Sequence, residues 1–190
     1  GVSTGRLWAV GKMGVVLQYN DGLWGRVAVD KLPFAAGSTP DLYAVLAVED
    51  EDVYIGGDNT VIHYKNNLYM SFPLPDTDAL VKSIAKAPDG RVWLGADQGR
   101  VYELKTDGTA VRHNPNVYSQ FVAMWVSPSG LVYAVGDTQP AVVWIYDGNA
   151  SDNWQALTVQ SPATIASAYP NRVVTQSRVS GIWGTGDEDF

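Results

Sequence analysis

Short runs of alternating apolar and polar residues follow one another along the whole chain, and the runs recur. Segments 7–14 (LWAVGKMG), 53–60 (VYIGGDNT), 92–99 (VWLGADQG) and 131–139 (LVYAVGDTQ) share one design: an aromatic, two small or aliphatic residues, then a polar turn. The aromatics are Trp8, Tyr54, Trp93 and Tyr133, spaced 46, 39 and 40 residues apart. A second alternating run follows each: VVLQY at 15–19, VIHY at 61–64, RVYEL at 100–104 and AVVWIY at 141–146. These runs end in NDG, KNN, TDG and DG, where Asn, Asp and Gly tolerate the positive φ of a tight hairpin. Third runs are expected at 23–29, 68–72, 109–113 and 154–159. Ahead of the aromatic runs lie LYAVLAV at 42–48, LVKSIAKA at 80–87 and FVAMWVS at 121–127, joined to them by EDED, PDG and PSG turns.

Four short antiparallel strands per repeat of about 40 residues is the period of a propeller blade. Helical spacing never holds for more than a turn, and the 19 Gly and 10 Pro fall mostly between apolar runs, where turns need them. The chain therefore reads as all-β, one β-propeller domain over 1–190 with about five four-stranded antiparallel blades, or a segment of a larger propeller. The units are about 1–40, 41–78, 79–118, 119–160 and 161–190. The fifth has two readings. IASAYPNRVV at 165–174 matches IAKAPDGRVW at 84–93 with one insertion, which makes it a blade lacking its outermost strand. Alternatively, GIWGTGDEDF at 181–190 is an innermost strand and turn that completes the first unit and removes open sheet edges.

Strings such as VWLGADQGRVYEL and the YDG turn resemble the tryptophan-rich propeller repeats of bacterial sensor and surface proteins, including those of two-component regulators. The resemblance covers nearly the whole chain. It implies a parent protein of sensory or surface type and an extracellular or cell-surface location. The paired GH and WD of WD40 repeats, the kelch double glycine and the full Asp-box of sialidases are not present.

Composition narrows the function classes. The 190 residues are 46% apolar and 17% charged, too apolar for a disordered chain, and no apolar run reaches the roughly 18 residues of a bilayer span. A net charge of -7 opposes nucleic-acid binding. With no cysteine, disulfides, thiolate metal sites and a cysteine nucleophile are excluded. No apolar stretch of signal type follows Gly1, so any targeting segment is expected to have been removed or to lie outside this sequence.

Two sets of residues are candidates for ligand binding. Lys12, Asp58, Asp97 and Asp137 follow the small residue of each central hairpin; equivalent positions share one end of a ring, where three carboxylates could hold a cation or a basic ligand. The competing account is turn geometry, since Asp bonds to nearby backbone, and the segments lack the spacing of a calcium loop. Trp24, Tyr69 and Trp154 sit just beyond the third turn and could stack on a sugar or a peptide, whereas Trp8, Tyr54, Trp93 and Tyr133 read as packing between blades. Acidic runs at 49–52 and 187–189 read as solvated turns, and His63 and His113 as ordinary strand residues. Asn149, Ala150 and Ser151 form a glycosylation sequon that matters only in a glycosylating compartment. No GxSxG, HExxH or phosphate loop occurs. The reading that follows is a noncatalytic ligand-binding, protein-binding or scaffolding module, with no cofactor or metal, a protein or glycan as partner, no nucleic acid, no membrane insertion, and an oligomer or larger parent as context. The alternative is a glycosidase or lyase acting from the central funnel through Asp58, Asp97 and Asp137.

Overall fold

The computed structural model describes residues 6–137, 142–148, 153–158 and 180–185. Within them the regular structure is strand, apart from one 3-10 turn at Val29–Lys31. The first sheet orders β1 (Leu7–Gly11), β2 (Val15–Asn20) and β3 (Leu23–Arg26); the second β4 (Leu42–Glu49), β5 (Asp52–Gly57), β6 (Thr60–Lys65) and β7 (Leu68–Ser71). The third comprises β8 (Val81–Lys86), β9 (Val92–Ala96), β10 (Val101–Leu104) and β11 (Ala110–His113), and the fourth β12 (Phe121–Val126), β13 (Val132–Gly136), β14 (Val142–Tyr146) and β15 (Trp154–Thr158). All pairings are antiparallel between sequential strands, and β4 packs beside β8 and β8 beside β12. The first strands of successive sheets thus meet at the centre, the radial plan of a β-propeller.

Local chemistry sets the hairpins. Asn66 and Asn67 both take positive φ, 50° and 64°, the two-residue turn whose twist matches the flanking strands. Strand alternation then divides each sheet into two faces. On β5, Val53 and Ile55 join the cluster shared with Val16 and Trp8 of the first sheet, while Tyr54 packs against the cluster containing Tyr102 and Leu104 of the third. On β9, Leu94 faces back and Trp93 forward, against Phe121 and Trp154. Trp8, Tyr54 and Trp93 therefore each point at the following sheet, as interblade packing requires. Two residues on, the forward face must stay flat: a Cβ on Gly56 would run into Val81 of the third sheet. Backbone bonds add a second stitch between neighbours, from Gly14 N–H to Pro40 O (2.8 Å), Asn59 N–H to Ala79 O (2.7 Å) and Gly99 N–H to Ser119 O (2.6 Å).

Two expectations change, and the count of five blades reaches beyond the described residues. The third strand of the first unit stops at Arg26, because Val27 turns into the core and residues 29–31 form the 3-10 turn instead. About five blades were expected; the described residues hold four sheets, and unit 161–190 lies outside them except for 180–185. Residues 181–185 form no innermost strand for the first unit, since Ile182 packs on the forward face of the fourth sheet against Tyr133, Val135 and Val143. Residues 186–190 of that expected strand fall outside the described residues.

Candidate functional site

The candidates lie at opposite ends of the sheets. At the end formed by the β5–β6, β9–β10 and β13–β14 connections, the repeated aspartates bond to their own innermost strands. Asp58, Asp97 and Asp137 each donate the backbone N–H to the carbonyl 17 residues earlier, at Asp41 (2.8 Å), Leu80 (3.2 Å) and Gln120 (3.1 Å). Asp97 Oδ1 accepts the Leu80 N–H (3.0 Å) and Asp137 Oδ1 the Gln120 N–H (3.1 Å). Arg100, 3% exposed, donates to Asp97 Oδ1 at 2.6 Å and to Asp78. These carboxylates fix the start of their own blades, which is the turn account in its extended form. Lys12, the first unit's equivalent, is exposed and accepts the Val15 N–H at its carbonyl (3.3 Å). No three His, Asp or Glu side chains among the described residues form a group suited to a metal ion.

Asp58 differs. Its Oδ1 is buried without a hydrogen-bond partner, and its carboxylate accepts from the Tyr43 hydroxyl, which with burial pushes Tyr43 up to about 12. Lys82 Nζ lies 3.1 Å from the centroid of the Tyr43 ring, a cation–π contact. Burial lowers the Lys82 pKa although Asp58, Asp97 and Asp41 oppose the shift. Asp58 and Asp97 thus act on one lysine. Tyr43 and Lys82 are equivalent residues: the ladder slips at Tyr43, Lys82 and Val122 in the three innermost strands, and a bulge re-aims the side chain it carries. Sequence alternation cannot show a bulge, so both residues escaped notice. Asp58→Asn should bring Tyr43 back toward about 10, the usual tyrosine value, in a spectrophotometric titration; an unchanged curve would remove the contact. Because the folded pKa is raised, this contact stabilises fully below about pH 10 and is lost as pH rises toward about 12.

At the other end, the cross-strand partners Tyr64 and Tyr69 (ring centroids 4.7 Å apart) form one wall of a 660 Å³ cleft between the first and second sheets. Gln18 and Asn20 of β2 form the other wall, Asn67 comes from the β6–β7 turn, and Lys31 supplies positive charge with no carboxylate in the lining, while Arg26, opposite Leu17, borders the cleft from the other face of the sheet. Asn20 Oδ1 is buried without a partner. Asn67 Oδ1 accepts the Tyr64 hydroxyl (2.9 Å), which leaves its amide N–H groups as donors. Burial pushes Tyr69 up to about 12. Of the three aromatic candidates, Tyr69 walls this cleft, and Trp24 borders it with its ring on the other face of the sheet, beside Tyr19 at 5.4 Å. Trp154 is elsewhere: 8% exposed, it stacks on Tyr146 inside the core of the third and fourth sheets. The amides and the lysine of the cleft carry no sequence motif, since residues of two blades meet there only after folding.

The chain matches no protein-family profile and no curated protein. Solved structures do resemble it. The extracellular domain of the protein assigned as hybrid two-component system BT4673 of B. thetaiotaomicron superposes with a TM-score of 0.70 at 16% identity, over 97% of this chain and 24% of that one. An inactive variant of virginiamycin B lyase from Staphylococcus aureus, with quinupristin, gives a TM-score of 0.70 at 18% identity over 86% and 55%. YCF48 bound to D1 peptide gives 0.57 at 14% over 80% and 50%. The chain thus spans about a quarter of the first neighbour's length and about half of the other two. With the radial sheets described above, these likenesses identify the chain as a β-propeller fold.

Proposed function

We propose that the chain is a noncatalytic binding module of an extracellular or surface protein, of the tryptophan-rich repeat type, which takes a peptide segment of a partner protein in the cleft between its first and second sheets. The observation that carries this reading is the cleft lining: tyrosine faces, three amides, one lysine and no carboxylate, on a chain of net charge -7. Amides match the donors and acceptors of an extended backbone, the tyrosines cover apolar side chains, and Lys31 suits an acidic residue. Ring likeness to an extracellular sensor domain and to a propeller bound to a peptide supports the same reading. The funnel alternative is weaker, because Asp97 and Asp137 are held by backbone N–H groups.

Peptide and glycan arrays probed with the purified chain test it. Acidic peptides should bind, and Lys31→Ala should lose about tenfold in affinity and most of the salt dependence. Tyr69→Ala should weaken all bound peptides alike. Binding of glycans alone, or unchanged affinity in both variants, would overturn it.

A further inference from the structure

The outermost strand of the second sheet presents a free edge beside the peptide cleft. Strand β7 is hydrogen-bonded to β6 alone, in the register Ile62↔Ser71, His63↔Met70, Tyr64↔Tyr69 and Lys65↔Leu68. The two-residue turn at Asn66 and Asn67 makes Lys65 and Leu68 a pair that exchanges both backbone hydrogen bonds. Such pairs alternate along an antiparallel ladder, so Met70 and Phe72 also turn their backbone groups inward, and the Phe72 N–H donates to Val61 O at 2.9 Å. The N–H and C=O groups of Tyr69 and Ser71 therefore point away from β6, and among the described residues no strand lies beyond them.

Side chains at this edge divide by the same alternation. Tyr69, opposite Tyr64, faces the cleft between the first and second sheets. Leu68 and Met70 face the other way and are 63% and 44% exposed. Charges and prolines on outermost strands discourage pairing with another chain. Strand β3 has Arg26 and β11 has Arg112, whereas β7 reads Leu-Tyr-Met-Ser and has neither.

We propose that the partner's peptide binds as an added strand on the free edge of β7, an inference that rests on the peptide reading of the adjoining cleft. Every second residue of the peptide then exchanges backbone hydrogen bonds with Tyr69 or Ser71. Those residues turn their side chains to the cleft, whose lining includes Gln18, Asn20, Asn67 and Lys31. The residues between them lie beside Leu68 and Met70 and cover that exposed apolar pair. The ligand class is an extended segment of alternating character, acidic or amide-bearing on the cleft side and apolar on the other. A second copy pairing β7 with β7 would leave the amides and the lysine of the cleft without a counterpart, so the peptide is the better occupant.

Calorimetry of the whole chain with a capped peptide of alternating glutamate and valine tests it. N-methylation at the glutamates, whose N–H groups meet β7, should weaken binding at least about tenfold, whereas N-methylation at the valines should leave it nearly unchanged. A peptide of the same composition with its glutamates and valines in separate blocks should bind about tenfold more weakly than the alternating one. Ser71→Pro removes an outward N–H and no ladder bond, so the melting temperature should hold while affinity for the alternating peptide falls about tenfold. In the complex, hydrogen exchange should slow at the Tyr69 and Ser71 amides and stay as it is at Leu68 and Met70. Equal losses from the two N-methylated peptides, or a block peptide that binds as well as the alternating one, would overturn the added strand and leave acidic recognition in the cleft standing. Failure of the alternating peptide alongside acidic hits on the array would also overturn this mode alone, whereas no binding by any peptide would overturn the cleft reading with it. A dimer that protects the Tyr69 and Ser71 amides without peptide would assign the edge to a second copy and overturn the proposal.

Discussion

Gly99→Ala should destabilise the chain by about 4 kcal/mol, a loss of roughly 10 °C in melting temperature for a chain of this size. Gly99 takes φ 71°, where an L side chain costs about 1–2 kcal/mol. A Cβ there would also run into the backbone carbonyl of Val117, and a carbonyl cannot rotate aside as a side chain can. The backbone would have to move, at about 1–3 kcal/mol, and would stretch the 2.6 Å bond from Gly99 N–H to Ser119 O that ties the third sheet to the fourth. Gly108→Ala is the control. It shares the positive φ, 87°, but its Cβ would meet nothing within 4 Å, so it should lose only about 1 kcal/mol. Urea denaturation of both variants decides the matter: equal losses would show that the approach of the two segments is not close.

The second large effect is expected at Arg100. Its guanidinium holds Asp78 Oδ1 and O on the segment leading to β8, and Asp97 Oδ1 and O in the β9–β10 turn. Arg100→Met keeps the apolar stem but strips the buried Asp97 of its hydrogen-bonded cation, leaving only the more distant Lys82, which should cost about 3 kcal/mol. Adding Asp97→Asn should recover part of that loss by removing the stranded charge; no recovery would mean that the arginine acts by packing alone. Acid titration gives a separate signature. The Arg100 hydrogen bond holds the Asp78 carboxyl below its usual range. That stabilisation is complete above about pH 4, the unfolded value, and is lost as pH falls through the lower folded value. In Arg100→Met this acid-side loss should flatten.

Much of this architecture is legible from two-residue periodicity and turn chemistry alone. LYAVLAV, LVKSIAKA and FVAMWVS at 42–48, 80–87 and 121–127 became β4, β8 and β12 within one or two residues, because each alternates against two buried faces and is bounded by turn formers. The pairing of His63 was also within reach. A two-residue turn at Asp58 and Asn59 fixes the β5–β6 ladder, and counting outward puts His63 opposite Tyr54 and Lys65 opposite Asp52. The pairing is invisible along the chain, where His63 stands 11 residues from Asp52, and shows only across the ladder. The burial of Arg100 was not legible: RVYEL reads as any alternating strand, and only the approach of residues 76–80 supplies the two acceptors. Trp154 shows the converse limit, since a position just past a turn is exposed in one blade and covered in another according to what the neighbour carries.

Trp8 meets Tyr64 at 4.9 Å, with Tyr69 beside it, and Trp93 meets Tyr146 at 5.6 Å, with Trp154 beside it. Each sheet thus offers an aromatic plug on one side and, in the second and fourth, an aromatic socket on the other. The stack is polar in the sense that a filament is polar: units join head to tail and cannot be reversed. Tyr19 and Trp24 of the first sheet occupy the socket positions, and there Trp24 is 51% exposed and Leu7 equally so. A repeat with this grammar keeps one side constant when it is duplicated, because Trp8 and Trp93 meet sockets of the same build. Among the described residues the socket of the first sheet is left uncovered, and its complement in this grammar is the leading face of another blade of the same kind.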